Sequence, residues 1–97
     1  MHTIKTEITW DAVKAKSNRL KHRVFFSEVE PVFYEPNAIS FEDRASKGEA
    51  RFIVIWLDSL ARLVVVSYTY RDNVIRVISA RKASKTEQKV YEKGIRF

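Results

Sequence analysis

The sequence predicts one α+β domain spanning residues 1–97, with elements in the order β-α-α-β-β-β-β-α. Three observations predict it. The runs "AISFED", "ARFIVIWLD", "RLVVVSYTY" and "VIRVISAR" are rich in β-branched and aromatic residues. The segments on either side of them carry helix-capping signatures instead. A chain of 97 residues with a 45% hydrophobic share has enough apolar surface for one core and too little for two.

Each element has its own warrant. "IKTEITW" alternates as a short strand, with Ile4, Thr6 and Ile8 on one side. Asp11 then caps a helix in which Val13, Ser17 and Leu20 recur at three-to-four spacing, ending near "KHR". Ser27 and Glu30 form an S-x-x-E capping box for a second helix carrying Val29, Val32 and Phe33. Pro31 removes a backbone donor from that helix, so it should be short or distorted, and "EPN" ends it. "SKG" separates the first two strands of the β-rich half. "SLA" and "RDN" are short enough for hairpin turns, which makes the last three strands an antiparallel meander. Ser84 and Glu87 repeat the capping box for a final helix through Val90 and Tyr91, with Gly94 as its C′ residue and Ile95 as C″.

Charge is unevenly spread. Net charge is +4 over residues 1–25, −3 over residues 26–70 and +5 over residues 71–97, so both ends are basic around a mildly acidic middle. A basic domain favours polyanions, although solubility alone also explains such a balance. The absence of cysteine excludes disulfides and thiolate chemistry. "MHTIKTEITW" has no long apolar run, and no stretch is long enough to span a bilayer, which makes a cytoplasmic protein without a membrane partner the expectation.

Cofactor-dependent chemistry finds little support. His2 and His22 lie far apart with no ligand spacing around them, so no metal site is expected. There is no G-x-S-x-G elbow, and two glycines cannot build a phosphate loop. What remains is Arg, Lys, His and Glu at strand and helix ends, with Trp and Tyr nearby. That set suits RNA cleavage by the 2′-hydroxyl, which needs a base, an acid and fixed positive donors but neither metal nor thiol. Arginine gives a phosphate two donors and keeps its charge, and aromatic rings hold unstacked bases.

The order of these residues carries a resemblance. "W10-D-x-x-K14-x-x-x-N18-x-x-K21-H22", "F26-x-E28", "GE-x-R" at Gly48 to Arg51, and "R76-V-I-S-A-R-K-A83" with Glu87 and Tyr91 beyond resemble the BrnT toxin family from Trp10 to Tyr91. Two departures are visible: Arg23 stands where the family usually has glycine, and Pro31 is unexpected in the second helix. The resemblance implies a RelE-like fold, a twisted antiparallel sheet with packed helices, and a ribonuclease that halts translation. It also implies a ribbon-helix-helix antitoxin in a two-plus-two complex, through which alone operator DNA is bound, and no cofactor.

With that resemblance, the candidate catalytic residues are His22, Glu49, Arg51, Arg76 and Arg81, and the candidate RNA-binding residues are Lys21, Ser79, Lys82 and Tyr91. Arg76 and Arg81 lie five apart, so a regular strand points them to opposite faces. Either a bulge re-aims one of them or Arg81 lies past the strand end. Arg76 alternatively forms a structural salt bridge with Glu49. Arg51 shares a face with Ile53 and Ile55, or sits at an exposed strand end. His22 is a proton-transfer group or a residue favouring the helix dipole, and Glu49 is a base or orients an arginine. Trp10 is expected in the core, Asp11 as a cap, and Asn18 as a local hydrogen-bond former. A non-catalytic basic module that grips nucleic acid or a partner stays open, as does a toxin that has lost turnover.

Overall fold

The computed structural model describes residues 7–95. The elements are β1 (Ile8–Trp10), α1 (Ala12–His22), a 3-10 helix (Phe26–Phe33), β2 (Ile39–Asp43), β3 (Arg51–Leu57), β4 (Leu63–Arg71), β5 (Val74–Lys82) and α2 (Lys85–Ile95). One five-stranded sheet has the order β1-β5-β4-β3-β2. The last four strands are antiparallel to their neighbours, but β1 pairs β5 in parallel, with Ile8 opposite Ile75 and Trp10 opposite Val77. The sheet is therefore mixed rather than antiparallel. Most of the expected first strand, including Ile4 and Thr6, lies outside the described residues.

Short-range chemistry makes the turns. Asp72 and Asn73 take φ of 52° and 66°, the left-handed pair of a two-residue hairpin between β4 and β5. Between β3 and β4, Asp58 Oδ1 accepts from the amides of Leu60 and Arg62, both at 2.9 Å, while Oδ2 accepts from Arg62 Nε. Arg62 also reaches Glu28 at 3.1 Å and so ties this turn to the 3-10 helix.

One sheet face carries the core. Val54, Val64, Val66, Tyr68, Ile75, Val77 and Ala80 pack against Val24, Phe26, Val29 and Val32. Trp10 sits at its margin, edge-on to Phe26 with ring centroids 6.2 Å apart. α1 is docked differently from the expected apolar stripe: Val13 and Leu20 are 77% and 70% exposed. The contact is polar instead. β1 ends opposite Val77, which leaves the outer edge of β5 unpaired beyond that point. Asn18 completes this edge, accepting from the Ala80 amide at 3.0 Å and donating to Ala80 O at 2.9 Å and Val24 O at 3.1 Å. A side-chain amide here stands in for a sixth strand. Asp11 caps the helix as expected, accepting from the Val13 and Lys14 amides.

The second helix departs in start and type. Its cap is Phe25, whose amide donates to Glu28 Oε1 at 2.9 Å, so the Ser27–Glu30 box does not form. The segment is 3-10, with Tyr34 donating to Pro31 O at 3.2 Å, which fits a residue that has no amide of its own to give. α2 opens on the expected reciprocal box: Ser84 N donates to Glu87 Oε1 at 2.8 Å and Glu87 N donates to Ser84 Oγ at 3.1 Å. It continues through Gly94 to Ile95 rather than stopping before them.

Arg23 closes α1 at φ 58°, ψ 33°, its amide donating to Arg19 O. This left-handed geometry strains any side chain with a Cβ. We expect Arg23→Gly to raise stability by roughly 1 kcal/mol, less the extra entropy glycine loses on folding. Thermal denaturation of the two chains reads the difference.

Candidate active site

A β-bulge decides the layout of the other sheet face. Ser79 is opposite Ser67, but Val77 is opposite Tyr68, so Ile78 is an extra residue on β5. Arg76 then pairs with Thr69 and Arg81 with Val65. Thr69 and Val65 are four apart on a regular strand, and the strand period of two puts both arginines on one face. Their Cα atoms are about 13 Å apart along the sheet, with Ser67 and Ser79 between them. Of the two alternatives open in the sequence, the bulge is the one adopted.

Arg51 joins the same face. It opens β3 opposite Asp43, and two residues on, Ile53 faces Ser67. Arg51 is half-buried, and its Nε is enclosed with no hydrogen-bond partner. A buried guanidinium nitrogen left unpaired is costly.

The expected Arg76–Glu49 salt bridge does not form. Glu49 accepts instead from Arg71 Nη2 at 3.2 Å and Nε at 3.3 Å, because Arg71 follows Thr69 by two on the same face of β4. That hydrogen bond, with the charges of Arg71, Arg51 and Arg76, holds the Glu49 carboxyl below its ordinary value. Three guanidinium groups thus surround one ionised carboxylate. Arg76 makes no salt bridge among the described residues.

Arg81 is held by α2. Its Nη1 and Nη2 donate to Glu87 Oε1 and Oε2 at 2.7 and 2.9 Å, a bidentate pair. Mainly through this bond, helped by the Ser84 amide, Glu87 titrates at about 2 instead of 4.5. A carboxyl whose folded pKa is depressed stabilises the fold above its unfolded value and loses that contribution as pH falls. The stabilisation from Glu87 is therefore complete above about pH 4.5 and disappears on acidification towards about 2. The melting-temperature difference between wild type and Glu87→Gln should shrink across that window and stay constant above it.

Of the remaining candidates, the strand register places only Ser79 on the arginine face. Lys82 is opposite buried Val64, and strand alternation turns it to the other face from Arg81. Tyr91 is buried, its ring 5.7 Å from Trp56, and burial raises its hydroxyl pKa. It packs helix on sheet. His22 is half-buried in the last turn of α1, and no hydrogen bond or ion pair among the described residues links it to the arginines. Lys21 is exposed beside it. Ser79 lies between Arg76 and Arg81, on their face. Among the described residues no three His, Cys, Asp or Glu converge as metal ligands.

Residues 10–87 match the family described as the ribonuclease toxin BrnT of type II toxin–antitoxin systems. The chain belongs to the BrnT toxin family. Its fold is similar to the crystal structure of the Brucella abortus ribonuclease toxin BrnT, with a TM-score of 0.68 at 25% identity, over 84% of this chain and 100% of that one. No curated protein matches. Arg71 was not singled out from the sequence, and Glu87 carried a capping role and a place in the family resemblance but no partner among the arginines. Arg71, Thr69 and Ser67 alternate along β4, and that period was the signal available for the first. Nothing local in the sequence announces that Glu87 serves Arg81 as well as Ser84.

Proposed function

We propose that this BrnT chain cleaves RNA by attack of a 2′-hydroxyl on the adjacent phosphate, on a RelE-like scaffold comprising residues 1–97. The observation that carries the reading is the bulge at Ile78, which puts Arg76 and Arg81 on one face with Arg51. The 2′-oxygen forms a bond to phosphorus, the bond to the 5′-oxygen breaks, and the products are a cyclic phosphate and a 5′-hydroxyl. Charge gathers on the non-bridging oxygens in the transition state, where fixed guanidinium groups stabilise it without reorganising. Arg76 has no salt bridge among the described residues to compete with this role, Arg51 lies on the same face, and Arg81 is aimed by Glu87. This charge stabilisation is supplied by side chains, which supports a metal-independent reaction without a cofactor.

Glu49 is the candidate base: an ionised carboxylate at the arginine cluster that takes the 2′-proton once the phosphate draws Arg71 from it. Its lowered pKa makes it always available and intrinsically weak. His22 is the candidate acid for the leaving 5′-oxygen, and Lys21 and Lys82 are candidate contacts to the RNA backbone away from the arginine face. Ser79 bonds the phosphate between the arginines, and Tyr91 contributes from beneath by fixing α2. The partner is a ribbon-helix-helix antitoxin whose acidic or amphipathic segment covers the basic face, in a two-plus-two complex that binds operator DNA through the antitoxin. No helix among the described residues is long and apolar enough to cross a membrane, and cytoplasmic RNA is the proposed substrate.

Expression with and without the antitoxin tests this reading. Growth should stop and RNA should fragment when the chain is expressed alone, and both effects should vanish on co-expression. Intact RNA, together with tight operator binding by the isolated chain, would instead favour a non-catalytic nucleic-acid module.

A further inference from the structure

Beside the arginine face, α2 and the edge strand enclose a groove of about 250 Å³. Its walls are Ile39, Phe41, Ile55, Thr86, Val90 and Tyr91, and Glu87 closes the end towards Arg81. Two of its apolar side chains are open to solvent: Phe41 is 48% exposed and Val90 65%. Large apolar groups left in the open beside a cationic site mark a ligand surface.

We infer that this groove is a nucleobase subsite, taking an unstacked base of the strand whose phosphate Arg81 binds; the inference rests on the ribonuclease reading above. Three features select a base over other occupants. First, the groove has an aromatic wall in Phe41, and a base offers a flat π-face to stack on it. Second, its charged wall is the Glu87 carboxylate, an acceptor for the N–H groups on a base edge, and Glu87 also grips Arg81, so a cation for the neighbouring phosphate lies next to the groove rather than in it. Third, the scale agrees. Ile39, Ile55, Val65 and Arg81 form one cross-strand row, placing Ile55 two strand spacings, about 10 Å, from Arg81. An arginine side chain and one ribose-phosphate unit bridge that gap. Thr86 adds a hydroxyl that makes no hydrogen bond among the described residues and is placed to read a base edge.

The groove therefore sets which base flanks the cut, and Phe41 is its specificity-determining residue. The test uses a 2′-O-methyl hexanucleotide, which cannot be cut, and the same backbone without bases, with dissociation constants measured by fluorescence anisotropy. Wild type should bind the base-bearing strand at least tenfold tighter than the abasic one. Phe41→Ala should lose about tenfold for the base-bearing strand and nothing for the abasic one, and Phe41→Trp should retain binding. Leu20→Ala, which removes a more exposed apolar group from α1, should change neither. Equal affinity of wild type for both strands, or unchanged base preference in Phe41→Ala, overturns the inference. So does Phe41→Ala leaving RNA affinity intact while abolishing antitoxin capture, which would make the groove a protein site. Cleavage of an ordinary RNA is scored separately: base-selective binding without cleavage sinks the ribonuclease reading and keeps the subsite, and cleavage insensitive to Phe41 does the reverse.

Discussion

Arg76→Ala is expected to lower the rate of RNA cleavage by about 10²–10³-fold, the loss typical of removing one preorganised charge donor, or roughly 2.7–4 kcal/mol of transition-state stabilisation. Its melting temperature should stay near that of wild type, because among the described residues Arg76 has no salt-bridge partner to lose. Arg81→Ala should show a similar rate loss with a small additional loss of stability. Its pair with Glu87 is partly open to solvent, the side chains being 43% and 30% exposed, and such pairs contribute up to about 1 kcal/mol. The contrast between the two variants is the informative part. If Arg76 were structural, its removal would lower the melting temperature and reduce activity only in proportion to the protein unfolded.

Asn18→Leu is expected to be the most destabilising single change described for the scaffold. The substitution removes three hydrogen bonds and leaves the Ala80 amide, the Ala80 carbonyl and the Val24 carbonyl buried without partners. Such groups cost about 1–3 kcal/mol each when orphaned, so a total of about 3 kcal/mol is a conservative expectation. For a domain of this size that lowers the melting temperature by roughly 12–24 °C. Because Ala80 directly precedes Arg81, the folded fraction should also cleave more slowly, measurable well below the transition.

How much of this was legible in the sequence follows from the range over which each signal acts. The Asp11 cap, the Ser84–Glu87 box and the Asp72–Asn73 turn depend on neighbours within four residues, and all three formed. The spacing of Arg76 and Arg81 exposed a conflict that only a bulge or a strand end could relieve, but the choice between them depends on pairing with β4. Long-range partners were harder. Glu49 pairs with Arg71 across a hairpin rather than with Arg76, and nothing near Glu49 in the chain distinguishes the two. β1 runs parallel to β5 because the whole chain between them returns to the far edge, a topological fact with no local mark. On α1, an apolar period suggested a packing face, while the docking was in fact done by one buried asparagine serving a strand edge. Arg23 is the opposite case: its left-handed φ explains, in backbone terms, why glycine suits that position.

The central claim is that guanidinium groups on one sheet face, without a metal, carry a 2′-hydroxyl transfer. End-group analysis of the RNA fragments made by purified protein in excess EDTA tests it most directly. The account predicts cleavage undiminished by the chelator, with 2′,3′-cyclic or 3′-phosphate ends and free 5′-hydroxyls. Cleavage abolished by EDTA and restored by a divalent ion, or fragments bearing 5′-phosphates, would contradict it.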